Sequence, residues 1–301
     1  MTGPSRPPTE GRNTQTRELD TVSVDKRVAM ILREDAVAVD AALGVVCDLA
    51  VLVNAAVERV RLGGQIHYAG AGASGRLAML DATEATPTFG VEPDLIQAHF
   101  PGGVGALVDS TIDLEDGLHV GRSDLSGVAP NDVVIGITAS GLTPYVRGAL
   151  EEARRREALT GLITSNPLSP LLPLAEIAVV VNTGPEALMG STRLKAGTAA
   201  KVVLNAFSTA VMIGLGKTYS NFMVGLVATN DKLRERSARI LVEATGSSQA
   251  ESRAMLAETS GALPLALIRL LSDASTEEAE AALARCGSVR SALRDLSGDA
   301  Q

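Results

Sequence analysis

The sequence contains few aromatic residues and few cysteines. Aromatic side chains make up 2% of the 301 residues and tryptophan is absent, so stacking on nucleic-acid bases or sugar faces has few candidates. Cys47 and Cys286 lie far apart in helix-like segments, which predicts buried thiols, no disulfide framework and a reducing compartment. The three histidines are dispersed without metal-ligand spacing. No metal site is therefore predicted.

Positive charge is also scarce. The chain has 27 Lys and Arg against 35 Asp and Glu, a formal charge of −8. Nucleic acids and anionic membranes both require a concentrated basic face, so we expect neither as a partner. The longest apolar stretch, residues 196–215, is interrupted by polar residues and favours a core or interface helix over a membrane span. The N-terminal residues contain no leader-like apolar run, which predicts a cytoplasmic protein.

Strand-like and helix-like segments alternate along the chain. Residues 24–62 have helical spacing with a break near residues 33–35, which predicts two helices. Short apolar runs bounded by turn residues predict strands at residues 65–70, 132–138, 159–165 and 176–182. The alternation with helices predicts an α/β fold with a doubly wound, mostly parallel sheet.

Beyond residue 221 only helical patterns are expected, at residues 233–244, 248–257, 263–271 and 277–285. We therefore predict a flexible N-terminal arm at residues 1–20 and an α/β domain at residues 21–240. A small all-helical domain at residues 241–301 completes the chain.

Three turns bring hydroxyl side chains to the start of a predicted helix. Ser74 lies in the first, Ser140 and Thr143 in the second, and Ser191 and Thr192 in the third. At a helix N-terminus the unpaired N–H groups and the helix dipole attract anions, and hydroxyls add donors for phosphate oxygens. Together the turns predict a monophosphate site, although any single hydroxyl could simply cap its helix.

The glycines of the first turn, Gly70, Gly72 and Gly75, also fit the G-x-G-x-x-G pattern of dinucleotide-binding folds. Such a fold needs a second strand that ends in an acidic residue about 20 residues later. Pro87 and Pro93 lie where that strand should be. The dinucleotide interpretation is therefore disfavoured.

Six segments resemble those of N-acetylmuramic acid 6-phosphate etherases, in matching order and spacing over nearly the whole chain. They are TEGRN (9–13), GAGASGRL (70–77), DATEATPTFG (81–90), ASGLTPYV (139–146), GSTRLKAGTAAK (190–201) and ATNDKL (228–233). The resemblance implies a sugar isomerase (SIS) domain of doubly wound α/β fold, followed by a small helical domain similar to a ubiquitin-associated unit. It also implies a homodimer without metal or organic cofactor.

The resemblance further implies an activity. Members of the family cleave N-acetylmuramic acid 6-phosphate with water to N-acetylglucosamine 6-phosphate and D-lactate, during recycling of cell-wall sugars. Glu84 and Glu115 match the two essential glutamates of the family. We expect a β-elimination with Glu115 as base at C2 and Glu84 as acid at the lactyl oxygen, or the reverse. Such chemistry requires one carboxyl group that starts ionised and one that starts protonated.

The residues expected to bind the sugar phosphate are Gly72, Ser74, Ser140, Gly141, Thr143, Ser191, Arg193 and Lys195. Three positions depart from the family pattern and bear on substrate affinity: Leu142 replaces a usual Arg, Ala200 a frequent Gln and Gly225 a usual Asp. Two other functions are weighed. A non-catalytic sugar-phosphate-sensing SIS regulator is disfavoured because both glutamates are retained, and an aldose–ketose isomerase would not need residues 81–90.

Overall fold

The computed structural model describes residues 6–109, 111, 114–226 and 231–298 of the chain. These residues form two compact units. The first comprises the chain up to residue 83 together with residues 94–209, and the second comprises residues 84–93 together with the chain from residue 210 onward. The sequence-based domain boundary near residue 240 stays a prediction.

In the described residues, a five-stranded sheet forms the centre of the first unit, with the strand order β2-β1-β3-β4-β5. The strands are β1 (Ile66–Gly70), β2 (Ile96–His99), β3 (Val133–Thr138), β4 (Leu159–Thr164) and β5 (Ile177–Val180). All four pairings are parallel, and Tyr68 of β1 lies opposite Ala98 of β2 and Ile135 of β3. β1, β3 and β4 are buried along their whole length, as expected for a parallel sheet covered on both faces.

Helices flank this sheet. In chain order they are α1 (Val24–Leu43), α2 (Val46–Arg61), α3 (Gly72–Phe89), α4 (Gly103–Val108), α5 (Leu118–Asp124), α6 (Pro144–Arg155) and α7 (Lys195–Gly214). α6 begins at Pro144, since proline is tolerated at the first helical position, where its missing N–H needs no partner. Its residues Val146 and Leu150 pack with Leu162 of β4 in one apolar cluster. The predicted parallel α/β architecture is confirmed.

The second unit is helical in its described residues, apart from a short antiparallel hairpin. The hairpin pairs β6 (Thr218–Tyr219) with β7 (Phe222–Met223). The helices are α8 (Asp231–Thr245), α9 (Gln249–Glu258), α10 (Leu263–Leu271), α11 (Thr276–Cys286) and α12 (Val289–Ser297). Their apolar faces meet in a single core that includes Leu241, Leu263 and Leu267. The predicted C-terminal helical region is therefore confirmed.

Several local expectations were wrong. α1 continues through residues 33–35 and ends at Leu43, because the charged residues there mark a buried ion pair of Glu34 and not a helix end. β2, β6 and β7 were not expected, since strands of four and two residues are too short for a clear alternating pattern. α12 was also missed, although Ser288 caps it. Residues 228–230 of the ATNDKL segment lie outside the described residues.

Two further corrections concern exposure. Cys47 is exposed on α2 and Cys286 is half-buried at the end of α11, so the prediction of two buried thiols was wrong. The N-terminal residues were expected to be flexible, but Thr9, Asn13 and Thr16 are buried. The carbonyl of Thr9 and the side chains of Asn13 and Thr16 form hydrogen bonds to other parts of the first unit.

α7 is the long apolar helix that the sequence indicates. By length and composition it could cross a membrane, yet half of its apolar stretch is buried inside the chain. Val203, Leu204 and Phe207 are almost fully buried. Packing within the chain therefore accounts for the apolar character of these residues.

A pair of histidines links β1 to β2. Nδ1 of His67 lies 3.0 Å from Nε2 of His99, and Nε2 of His67 lies 3.4 Å from a carboxylate oxygen of Asp132. Burial lowers the pKa of His67, although Asp132 partly opposes the shift. Burial and the neighbouring His67 lower the pKa of His99 to about 4. Both rings therefore favour the neutral form in the folded chain.

The first prediction follows from this pair. As pH falls from 6.5, the usual pKa of histidine, towards about 4, the unfolded chain binds a proton at His99 before the folded chain does. The free energy of unfolding should therefore decrease over this interval, by about 3 kcal/mol for His99 alone. His99→Gln should flatten the decrease, measured by urea denaturation across the interval. His119→Gln, which replaces an exposed histidine, should keep it. A parent-like decrease in His99→Gln would contradict the assignment.

Candidate active site

The turns that follow β1 and β3 lie at the same edge of the sheet. β1 and β3 are parallel neighbours, whereas β2 pairs with the opposite side of β1. The next strand in sequence, β2, therefore lies on one side of β1, and the strand after it, β3, lies on the other side. The strand order switches direction at β1. In open α/β sheets ligands bind in the crevice that such a switch creates at the carboxyl ends of the strands.

The turn after β1 brings α3 directly against the strand. A Cβ atom on Gly75 would lie 2.3 Å from the carbonyl oxygen of Gly70 and 2.6 Å from the Phe100 ring. Gly72 has a φ of +54°, in the left-handed region that favours glycine. The glycines thus let α3 begin close to the end of β1. Ser74 is thereby placed at the edge of the sheet, in the first turn of the helix.

A small cleft lies at this edge, beside the first turns of α3 and α7. Its lining comprises Ser74, Ile137, Thr138, Ala139, Ile163, Thr164, Ser165, Val181, Ala196 and Ala200. Sequence reasoning found Ser74 but missed Thr138, Thr164 and Ser165. The sequence feature that could have identified them is a hydroxyl residue at the carboxyl end of a buried strand. This feature indicates a binding site more specifically than a hydroxyl near a helix start.

Hydroxyl groups form a network in the turn after β3. Oγ1 of Thr138 lies 2.9 Å from Oγ1 of Thr143 and 3.4 Å from Oγ of Ser140. The backbone N–H of Gly141 donates to Oγ1 of Thr138 at 3.2 Å. Gly141 has a φ of +69°, and a Cβ there would lie 2.5 Å from the side chain of Ser169. The turn is thus held in one conformation, with its hydroxyls grouped together.

Glu115 meets both turns. Its Oε1 accepts a hydrogen bond from the Thr143 hydroxyl at 3.3 Å, and its Oε2 lies 3.7 Å from where a Cβ on Gly72 would be. The N–H of Tyr145 donates to the Glu115 carbonyl at 3.0 Å, which ties the acid to the first turn of α6. The structure therefore brings together one predicted catalytic residue and predicted ligands from two turns.

Glu84 is exposed on α3, in the part of that helix that belongs to the second unit. One turn earlier, Asp81 is buried and accepts hydrogen bonds from the Tyr68 hydroxyl, the Asn205 amide and the Ser208 hydroxyl, at 2.7–3.0 Å. Burial raises the pKa of Asp81, and these three donors oppose the shift. Asp81 therefore fastens α3 to β1 and α7. Sequence reasoning missed this role.

The turn before α7 differs from the other two, because the first N–H groups of α7 and the Lys195 ammonium already have protein partners. Both carboxylate oxygens of the buried Glu186 accept hydrogen bonds, from the N–H groups of Lys195 and Ala196 at 2.9 Å. Burial raises the pKa of Glu186, and the two N–H groups lower it. The Lys195 ammonium lies 2.7 Å from Oε2 of Glu34. The protein's own carboxylates thus occupy the positive end of α7.

The remaining predicted ligands, Ser191 and Arg193, lie in this turn, where Ser191 is half-buried and Arg193 is exposed. In the described part of the chain, no group of three or more His, Cys, Asp or Glu residues is arranged to hold a metal ion. The site is built from hydroxyls, backbone groups and one carboxylate.

The three departures from the family pattern occupy different environments. Leu142 is exposed in the β3 turn, and Ala200 lines the cleft. Gly225 lies in the second unit, where a Cβ would fall 2.0 Å from the Phe89 carbonyl oxygen. That approach leaves no room for the usual Asp unless the backbone shifts.

Two family models match the chain: "Glucokinase regulatory protein N-terminal SIS domain" over residues 48–154 and "SIS domain" over residues 119–210. A phosphoheptose isomerase from Francisella tularensis superposes with a TM-score of 0.52 at 17% identity, covering 64% of this chain and 100% of that chain. The enzyme of that name from Neisseria gonorrhoeae gives 0.50 at 18% identity, covering 63% and 99%. The first unit therefore has the fold of SIS-domain proteins.

Relatives that match most of the chain identify a family within the class of SIS-domain proteins. Proteins named N-acetylmuramic acid 6-phosphate etherase are 48% identical over 266 residues in Thermobifida fusca, covering 88% of each chain. The Geobacillus thermodenitrificans relative is 44% identical over 288 residues, covering 95% of this chain and 98% of its own. The Mycolicibacterium smegmatis relative is 43% identical, covering 95% and 97%. The chain belongs to the N-acetylmuramic acid 6-phosphate etherase family and is an enzyme, which confirms the resemblance seen in the sequence.

The second prediction concerns the first turn. Gly75→Ala should lower the free energy of unfolding by about 2 kcal/mol, because the new methyl group would overlap the Gly70 carbonyl oxygen. Gly127→Ala is the matched control, since a Cβ there meets nothing within 4 Å. Urea denaturation of both variants measures the difference. Equal stabilities would show that the close approach of α3 to β1 is not required.

Proposed function

We propose that this etherase holds N-acetylmuramic acid 6-phosphate at the β1 and β3 turns and cleaves its D-lactyl ether with Glu115 and Glu84. The observation that carries the proposal is the position of Glu115, whose carboxylate meets the Thr143 hydroxyl and the Gly72 turn. These turns supply the N–H and hydroxyl donors that a phosphate monoester requires. Glu115 therefore lies next to residues that we assign to the phosphate.

The elimination proceeds from the open-chain sugar, whose aldehyde at C1 acidifies the C2 proton. Glu115 takes that proton, the electron pair forms the C2–C3 double bond, and the bond from C3 to the lactyl oxygen breaks. Glu84 donates its proton to that oxygen, which releases D-lactate. The carboxylate of Glu84 then removes a proton from water as the water oxygen adds to C3. Glu115 returns its proton to C2, giving N-acetylglucosamine 6-phosphate.

The contacts of Glu115 support its role as the base. The Thr143 hydroxyl donates to its Oε1 at 3.3 Å and holds the carboxyl group in place, as a positioned proton transfer requires. Positioned proton transfer contributes a factor of about 10² to 10⁴ in rate. The elimination and the addition of water each use two such transfers.

The remaining polar groups are assigned to substrate binding. We assign Gly72, Ser74, Ser140, Gly141 and Thr143 to the phosphate, and Ser191 and Arg193 to further contacts from the turn before α7. Lys195 directly follows the same turn, and its ammonium is paired with Glu34 in the interior.

The third prediction separates the two glutamates. Glu115→Gln and Glu84→Gln should each lower kcat for D-lactate release at least about 10²-fold. In deuterated water, Glu84→Gln should still exchange the C2 proton of the substrate, because its base is intact, whereas Glu115→Gln should not. Lactate is measured enzymatically and exchange by proton NMR.

Asp116→Asn and Glu92→Gln serve as controls, because they remove exposed carboxylates that follow Glu115 and Glu84 in the sequence, and they should leave turnover near the parent value. Unaltered turnover in both glutamine variants would refute the site assignment. The opposite exchange pattern would interchange the two roles. Absence of lactate from the parent protein would instead favour a sugar-phosphate-sensing regulator.

We further propose that the enzyme is a cytoplasmic homodimer. α1 carries a row of apolar side chains at helical spacing, Val24, Val28, Leu32, Val39 and Leu43, each between 47% and 70% exposed. An apolar row of this length is unfavourable in water and fits an interface with a second copy. Two cysteines without a disulfide suit the cytoplasm.

The fourth prediction tests the homodimer. Leu32→Glu should shift the sedimentation coefficient from that of a dimer to that of a monomer, because a carboxylate in the centre of the row would be buried without a partner. Leu168→Glu changes an exposed leucine outside this row and should leave the dimer intact. A monomeric parent, or a dimeric Leu32→Glu variant, would refute the proposed interface.

A further inference from the structure

A buried ion pair joins α7 to α1. Lys195, the first residue of α7, is 3% exposed, and its ammonium lies 2.7 Å from Oε2 of Glu34. Residue 34 precedes residue 195 by 161 positions, so the pair connects distant parts of the chain. A buried ammonium is stable only beside a compensating charge with good geometry. Either side chain alone would leave an uncompensated charge.

Asn13 connects this ion pair to the N-terminal segment, residues 9–16. Its Nδ2 donates to the same Oε2 of Glu34 at 2.6 Å and to the carbonyl of Pro185 at 3.2 Å. Oε2 of Glu34 therefore accepts from an ammonium and an amide at once. One carboxylate thus fixes α1, α7 and the N-terminal segment.

The same N-terminal segment contacts the chain before α7 at two further points. The Thr16 hydroxyl donates to the carbonyl of Ala187 at 2.8 Å, and the N–H of Gly190 donates to the carbonyl of Thr9 at 3.1 Å. Together with the bond from Asn13, these contacts span residues 185–190. The residues that follow immediately are those of the turn with Ser191 and Arg193.

The ammonium of Lys195 is poorly placed to bind a phosphate in this arrangement. Its charge is balanced by Glu34 and its side chain is 4% exposed, so reaching a ligand would require breaking a buried pair. Its backbone N–H is also used, by Glu186. The electrostatics favour a structural role for the lysine over a ligand role.

We infer that Glu34, Asn13 and Lys195 are positioning residues, which hold the turn with Ser191 and Arg193 in place for the substrate. The inference rests on the proposed function, since it takes Ser191 and Arg193 as substrate contacts. It assigns a purpose to the N-terminal segment, whose Asn13 orients groups in the site without reaching the substrate.

The fifth prediction uses the affinity for N-acetylglucosamine 6-phosphate, the reaction product, measured by titration calorimetry so that turnover is not needed. Glu34→Gln and Lys195→Met should each weaken the Kd about tenfold, because each leaves a buried partner uncompensated. Asn13→Ala, which keeps the ion pair, should weaken it about threefold. The double variant Glu34→Gln/Lys195→Met should bind no worse than either single variant, because the effects of contacting partners do not add.

A ligand role for Lys195 predicts a different pattern. Glu34→Gln would free the ammonium and leave the Kd equal to or tighter than that of the parent, and the double variant would match Lys195→Met. That pattern would overturn the inference. Lys26→Met is the control for loss of a lysine, since residue 26 is exposed on α1, and its Kd should equal that of the parent.

Failure of the proposed function is distinguishable in the same titrations. If Ser191→Ala and Arg193→Ala keep the parent Kd while Glu34→Gln weakens it, the turn does not bind substrate and the ligand assignment falls. If Arg193→Ala weakens the Kd while Glu34→Gln and Asn13→Ala do not, the positioning inference falls and the ligand assignment stands. Thermal unfolding identifies any variant that fails to fold, in which case Asn13→Ala decides the inference.

Discussion

Parallel pairing of β1 and β3 is the constraint on which the site depends. Because the two strands run in the same direction, their carboxyl ends and the helices that follow them meet at one edge of the sheet. Each turn then presents N–H groups and hydroxyls to the same small volume. An enzyme with a formal charge of −8 can hold an anion in this way, since oriented donors act locally and do not need a basic surface.

Not every helix start at this edge is equivalent. The first N–H groups of α7 donate to Glu186, whose carboxylate occupies the position where an external anion would bind. The chain thus supplies its own anion at one helix and keeps the turns before α3 and α6 for hydroxyls and Glu115. A hydroxyl near a helix start was therefore a weaker signal than the three turns together suggested. Whether a turn is available to bind an anion depends on which distant residue of the chain faces it.

The difference between local sequence patterns and contacts with distant residues also explains how much of the fold and of the candidate site could be predicted from the sequence. β1, β3 and β4 are buried apolar runs bounded by turn residues, so local pattern alone identified them and the parallel sheet. β2 was not predicted because its four residues include the polar residues Gln97 and His99. The break placed near Glu34 was wrong for a related reason, because a charged residue within an apolar pattern resembles a helix end until its buried partner is known. Lys195 and Glu34 lie too far apart in sequence for any local pattern to pair them.

α3 carries both an anchoring acid, Asp81, and the acid that we propose for catalysis, Glu84. Asp81 and Glu84 stand one helical turn apart in the same DATE sequence, yet their surroundings differ. Asp81 is buried with three donors and holds the helix to β1 and α7, whereas Glu84 is exposed. An acid that must gain and lose a proton needs a fixed backbone and an accessible carboxyl group. In the proposed mechanism, the buried Asp81 meets the first requirement and the exposed Glu84 meets the second, so the two acids of this segment would have different tasks.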